Sequence, residues 1–230
     1  ADSIANAKVH PKPLAETQPE EAIAADAATD INDSVMNAKA PAFKGAAENI
    51  VLENGDLAVT FTTKGAYPVK ALLKQYKTFD QTPLYLFDGD YNKLSAVLPV
   101  ENGIYATSDL YYTAEQKTDA DGYKSIIFRA DMGEGRQTVI TYTLPKEGYM
   151  LQSNIQLVGM RTNNLPVTWQ TEALHTEKDV NNERRNSQFY YRFTDKDEDY
   201  FSFTSTQKES LEKPAQWLGF KVQFFATALI

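Results

Sequence analysis

A chain of 230 residues with 42% hydrophobic and 12% aromatic content holds enough apolar material for one large domain or two small ones. A net charge of −8 argues against a nucleic-acid surface and against capture of anionic lipid by a basic patch. No cysteine is present, which excludes disulfides, thiolate metal sites and a cysteine nucleophile, and two histidines are too few for a His-rich metal centre.

Residues 1–47 stand apart from the rest. They hold fourteen alanines, seven acidic residues, four lysines and one aromatic, Phe43, and are punctuated by Pro11, Pro13, Pro19 and Pro41. Such a segment buries too little apolar area to offset the entropy of ordering it, so a flexible linker is expected, with a transient helix over Glu20–Ala28. Ala1–Asn6 has neither the basic nor the apolar region of a signal peptide. For a protein working outside the cytoplasm, the targeting segment is expected upstream.

From Glu48 the pattern turns to β. Leu57, Val59 and Phe61 alternate with Ala58, Thr60 and Thr62, and Asn54-Gly55 predicts a hairpin back to Ile50–Leu52. Val69–Tyr76, Leu84–Phe87 and Leu94–Leu98 follow as strands. Tyr111 and Tyr112 lead into a hairpin turning at Asp121-Gly122 and returning over Ser125–Ala130. Val139–Leu144 and Leu151–Val158 flank Pro145–Gly148. Leu165, Val167 and Trp169 alternate again, and Phe189–Phe193 pairs with Tyr200–Phe203 across the acidic turn Asp195–Asp199. Strands at this spacing, with turn residues between them, predict a large antiparallel sandwich over residues 48–213.

The last stretch, residues 214–230, reads PAQWLGFKVQFFATALI. At 100° per residue Trp217, Leu218, Phe220, Val222, Phe224, Phe225 and Leu229 fill one broad arc, which predicts an amphipathic helix opened by Pro214. Lys221 falls inside that arc, where its stem can lie on apolar surface and its ammonium can stay wet. The stretch is too short to span a bilayer, which takes about 20 helical residues. It suits a buried core helix, an interfacial helix or the start of a longer span, and it ends on Ala-Leu-Ile without a cap or polar tail.

Side-chain constellations for chemistry are sparse. Asp88, Asp90 and Asn92 occupy the first, third and fifth places of a calcium loop, but Lys93 stands where glycine is needed and Pro99 where glutamate is needed, so a plain turn is expected. His175 lies near Glu172, Glu177 and Asp179, a neighbourhood able to supply a general acid or base, although a loop histidine among solvated carboxylates is the simpler reading. Asn181, Asn182, Glu183, Arg184 and Arg185 read as a polar loop. Tyr190, Tyr191, Tyr200 and Phe201 suit core packing better than sugar stacking. No catalytic, cofactor or metal residue is assigned.

Three stretches carry a resemblance. WLGFKVQFFATALI, Trp217–Ile230, resembles the segment in which the large periplasmic domain of the bacterial YidC membrane insertase family runs into its second transmembrane helix. Lys74–Tyr85, continued by LFDGDYNKL over Leu86–Leu94, is similar to a pattern early in that domain, and Glu48–Ala66 resembles its first hairpin. Gly219 and Val222 depart from the family's usual wording, as in a divergent branch. By layout the likeness covers about 180 of the 230 residues.

The resemblance implies a mutarotase-like β-supersandwich closed by the C-terminal helix, whose Trp217, Phe220, Lys221, Phe224 and Phe225 would be membrane-proximal. It implies a non-catalytic domain on the periplasmic side of the inner membrane, held by flanking transmembrane helices. Its expected partners are Sec translocon components and nascent membrane proteins; no nucleic acid and no cofactor is expected. The alternative is a mutarotase-like carbohydrate-binding protein or sugar epimerase using His175, which would lack a second histidine within the domain.

Overall fold

The structure, a computed structural model, describes residues 40–100, 103–203, 206, 208 and 210–230. The expected helix over Glu20–Ala28 and most of the predicted linker lie outside these residues. The alternation of apolar and polar side chains sets the first strands. β1 (Asn49–Glu53), β2 (Leu57–Thr62), β3 (Pro68–Lys77) and β4 (Pro83–Asp88) form one antiparallel sheet in that order. On β2, Leu57, Val59 and Phe61 face inward and are buried, as their period of two requires. β5 (Lys93–Val100) pairs with β6 (Gly103–Ala106).

A second four-stranded sheet is built from β7 (Thr113–Thr118), β8 (Lys124–Gly133), β9 (Arg136–Leu144) and β10 (Gln152–Val158), with β8 and β9 central. Its inward residues Ile126, Phe128, Ile140 and Tyr142 meet those of β2 and β3 in one core, so the two sheets form an all-β sandwich. Phe61 stands 4.5 Å from Tyr142 and 5.9 Å from Phe128, ring centre to ring centre. The hairpin predicted at Asp121-Gly122 forms, with Gly122 at φ +86°. Tyr111 and Tyr112 lead directly into its first strand, as expected, and Tyr111 makes an isolated bridge to Lys64.

One buried polar side chain locks this sandwich. The side-chain oxygen of the buried Asn54 accepts from the backbone N–H groups of Asp56 and Leu57, both at 2.8 Å, which shapes the β1–β2 turn. Its amide donates to the carbonyls of Pro145 and Gly148, both at 2.9 Å, and ties that turn to the β9–β10 connection. At the start of the described fold, Pro41–Phe43 forms a 3-10 turn with Ala42 fully buried, and Phe43 lies 5.3 Å from Tyr105. Packing therefore begins several residues before Glu48, where the composition changes.

β11 (Val167–Gln170) joins β5 on the side away from β6. α1 (Val180–Arg185) follows, a short helix capped by Asp179, whose carboxylate accepts from Asn182 N–H at 3.0 Å. This helix replaces the polar loop expected over Asn181–Arg185. The last sheet runs in the order β13, β12, β14, β15, from β12 (Gln188–Phe193), β13 (Glu198–Ser202), β14 (Ala215–Val222) and β15 (Phe225–Leu229).

The amphipathic helix expected over 214–230 does not form; those residues make the β14–β15 hairpin instead. The same apolar residues fit a period of two, with Leu218, Phe220 and Val222 on one face. β12 offers an open edge whose backbone groups need partners, and β14 supplies them. Gly219 suits this pairing, because a Cβ there would sit 2.6 Å from the Thr227 carbonyl oxygen. Among the described residues no helix is long and apolar enough to cross a membrane.

Candidate functional site

Where β11 meets the apolar face of the last sheet, packing is incomplete and a cleft of about 460 Å³ remains. Cross-strand pairing puts Phe189 opposite Phe220 on that face, with Phe201 beside them; the Phe189 and Phe201 rings stack at 4.9 Å. Trp169 of β11 approaches Phe220 at 5.8 Å. Tyr91 and Phe203 add two further aromatic walls, and Thr168, Gln170 and Thr171 give the rim its polar groups.

Asn92 positions that rim. Its amide donates to Gly89 O at 2.9 Å, and its oxygen accepts from Thr171 Oγ1 at 2.8 Å and Glu172 N at 3.1 Å. Asp88 pairs with Lys70 at 2.8 Å. Asp88 and Asn92 of the incomplete calcium loop are thus engaged in an ion pair and in holding the rim, and among the described residues no cluster of three or more His, Asp or Glu side chains could share a metal ion.

A smaller pocket of about 170 Å³ continues the cleft, sharing Ala173 and Phe203 with it and adding His175, Arg184, Ser187 and Val222. Here the fold brings His175 to a carboxylate that the linear sequence did not single out as its partner. Glu183, on α1 and fully buried, lies 2.8 Å from His175 Nδ1 through Oε2. Its Oε1 accepts from Thr176 N–H at 2.8 Å and from the Thr176 hydroxyl at 2.7 Å. Burial pushes this carboxyl up, but the bonds from Thr176 and His175 outweigh it and hold the group below its ordinary value. The outer part of the imidazole stays open, with the His175 side chain 55% exposed. Glu177 meets the Thr176 hydroxyl only at 3.5 Å.

The C-terminal residues expected to act at a membrane divide into two groups. Phe220 is buried in the cleft wall, and Phe225 packs edge-on against Tyr76 at 5.4 Å. Trp217 is partly buried opposite Arg192, and Lys221 reaches over the Tyr190 ring at 5.8 Å, on the other face of the sheet. Phe224 sits at the hairpin tip and is 67% exposed. Tyr190 and Tyr200 share the face of Lys221, whereas Tyr191 and Phe201 share that of Phe220. Nothing local in the sequence marks the cleft, since Tyr91, Trp169 and Phe220 come from distant strands and loops.

Comparison with known proteins adds family membership to this geometry. The family model of the YidC periplasmic domain matches residues 49–230. The chain is similar to the membrane protein insertase YidC of Parabacteroides distasonis, with 31% identity over 82% of this chain and 30% of that protein. The Porphyromonas gingivalis protein of the same name is 29% identical over 83% of this chain and 31% of its own length. That of Cytophaga hutchinsonii is 31% identical over 93% and 36%, respectively. The chain spans about a third of the length of the curated relatives it matches.

Proposed function

Because the chain belongs to the YidC periplasmic domain family, we propose that it is the non-catalytic periplasmic part of an inner-membrane insertase, aiding insertion and folding of membrane proteins alone or with the Sec translocon. The family match over residues 49–230 carries this reading. The aromatic cleft supports it, because an open apolar site with a polar rim suits transient contact with apolar polypeptide. In the same reading the β14–β15 hairpin is the membrane-proximal element. Phe224 at its tip is the residue free to meet lipid, with the partly buried Trp217 on the opposite face from Phe220, while Phe220 and Phe225 hold the hairpin on the domain.

The test places a photo-crosslinking amino acid at position 169, 217 or 224 of the membrane-bound parent protein engaged with a stalled nascent membrane protein. Adducts with the nascent chain or with a translocon subunit are the expected result. Their absence at all three positions would overturn the proposal.

One observation favours a second reading. His175 and Glu183 at 2.8 Å beside a cleft form the acid–base pair that a sugar epimerase or carbohydrate-binding protein would need. Against it, His10 is the only other histidine and lies outside the domain. Anomerisation above background by the purified chain, lost in His175→Ala, would establish this rival; no turnover removes it.

A further inference from the structure

β11 forms one wall of the aromatic cleft, and among the described residues it is paired only on its β5 side. Its other edge therefore presents backbone N–H and C=O groups along a cavity floored by Phe189, Phe220 and Trp169. Open strand edges are templates for another extended chain, and natural proteins usually cover or blunt them. This one carries no charged residue over Val167–Gln170. Beyond its C-terminal end the cleft runs into the pocket of His175 and Arg184. Arg184 enters no ion pair among the described residues; its Nε reaches only the Phe203 carbonyl, at 3.4 Å. In a chain of net charge −8, an arginine left without a carboxylate at the end of an apolar cleft is complementary to an acidic group from outside.

We propose that the β11 edge is a peptide-binding site: an extended segment of a client polypeptide pairs with Val167–Gln170, seats alternate apolar side chains on Trp169, Phe189 and Phe220, and directs an acidic residue to Arg184. The three features supply different parts of recognition. Edge pairing gives sequence-independent affinity through main-chain hydrogen bonds. Because side chains alternate along a strand, only every second residue of the guest enters the cleft, so the guest pattern is apolar at alternate positions. Arg184 adds a preference for acidic over basic residues at one end, worth about fivefold at most for a rim-exposed pair. The antiparallel alignment, in which the ladder is slightly more stable, places that acidic residue at the guest's N-terminal side, next to the end of β11.

This deepens the insertase reading and rests on it only for the source of the peptide. The test uses the full 230-residue chain and a capped heptapeptide with Leu and Phe at alternate positions and two Asp at its N-terminal end, with binding followed by titration calorimetry. Three companion probes separate the contributions: the same peptide with Lys for Asp, the same peptide N-methylated at alternate backbone nitrogens, and decanoate. The expected result is binding of the Asp peptide, about fivefold weaker binding of the Lys peptide, and none of the N-methylated one. Arg184→Met should abolish the Asp preference without changing the melting temperature, and Trp169→Ala should weaken both peptides. Equal binding of the Asp and Lys peptides, undiminished binding of the N-methylated peptide, or no peptide binding at all overturns the proposal. Decanoate binding with the peptides silent would assign the cleft to an acyl chain instead. A failure here leaves crosslinks from positions 217 and 224 to the translocon untouched, so the two proposals fail separately.

Discussion

Glu183 offers the most direct test of how the cleft is held. The carboxylate is fully buried and takes three hydrogen bonds, from Thr176 N–H, the Thr176 hydroxyl and His175. Glu183→Ala leaves the buried Thr176 donors without an acceptor. At about 1–3 kcal/mol for each orphaned buried group, the loss is about 3–5 kcal/mol. Glu183→Gln keeps an oxygen for Thr176 and a polar atom facing His175, but trades charge-assisted bonds for neutral ones, a loss of about 1–2 kcal/mol. Urea denaturation of the three proteins gives these differences directly.

The pH dependence supplies an independent check with a fixed sign. The folded Glu183 carboxyl lies below its ordinary 4.5, since the Thr176 and His175 bonds outweigh the desolvation that opposes them. A depressed carboxyl contributes stability that is present above the unfolded value and is lost as pH falls through the folded one. The wild-type advantage over Glu183→Gln should therefore be full above about pH 5 and shrink as the pH is lowered below about 4. A gap that stays constant across this range, or a Gln variant as stable as wild type at neutral pH, would refute the assignment of Glu183 as a charged, bonded anchor.

Asn54→Ala should destabilise the domain by about 2–4 kcal/mol, because four hydrogen bonds between two turns are lost at a buried position; a urea midpoint within error of wild type contradicts this. Phe220→Ala should cost about 3 kcal/mol, the low end for a buried aromatic, since its site opens onto the cleft and can relax. Phe224→Ser should leave the melting temperature unchanged and lower association with liposomes; equal association would detach the hairpin tip from the membrane-proximal role. Thermal melts with calcium and with a chelator should coincide, and a shift of several degrees would restore a metal to the Asp88–Asn92 turn.

The sandwich was legible in the chain because its signals are local. Leu57, Val59 and Phe61 alternate within one strand, and Asn54-Gly55 and Asp121-Gly122 name their own turns, so neighbouring residues carry the whole argument. The family resemblance was legible for the same reason, since it rests on short contiguous stretches. The C-terminal segment was not. Its run of apolar residues satisfies a period of 3.6 and a period of two about equally, and the choice between them was made by the unpaired edge of β12, which no local pattern records. Glu183 was missed for a related reason: a six-residue helix with no apolar stripe folded it back under His175 and Thr176, eight and seven positions away. The cleft belongs wholly to the tertiary structure. Tyr91, Trp169, Phe189 and Phe220 become one surface only when β11 and the last sheet pack against each other without filling the space between them. Burial of each side chain is set by periodicity along the strand, but which faces meet is set by backbone hydrogen bonds between segments far apart in sequence.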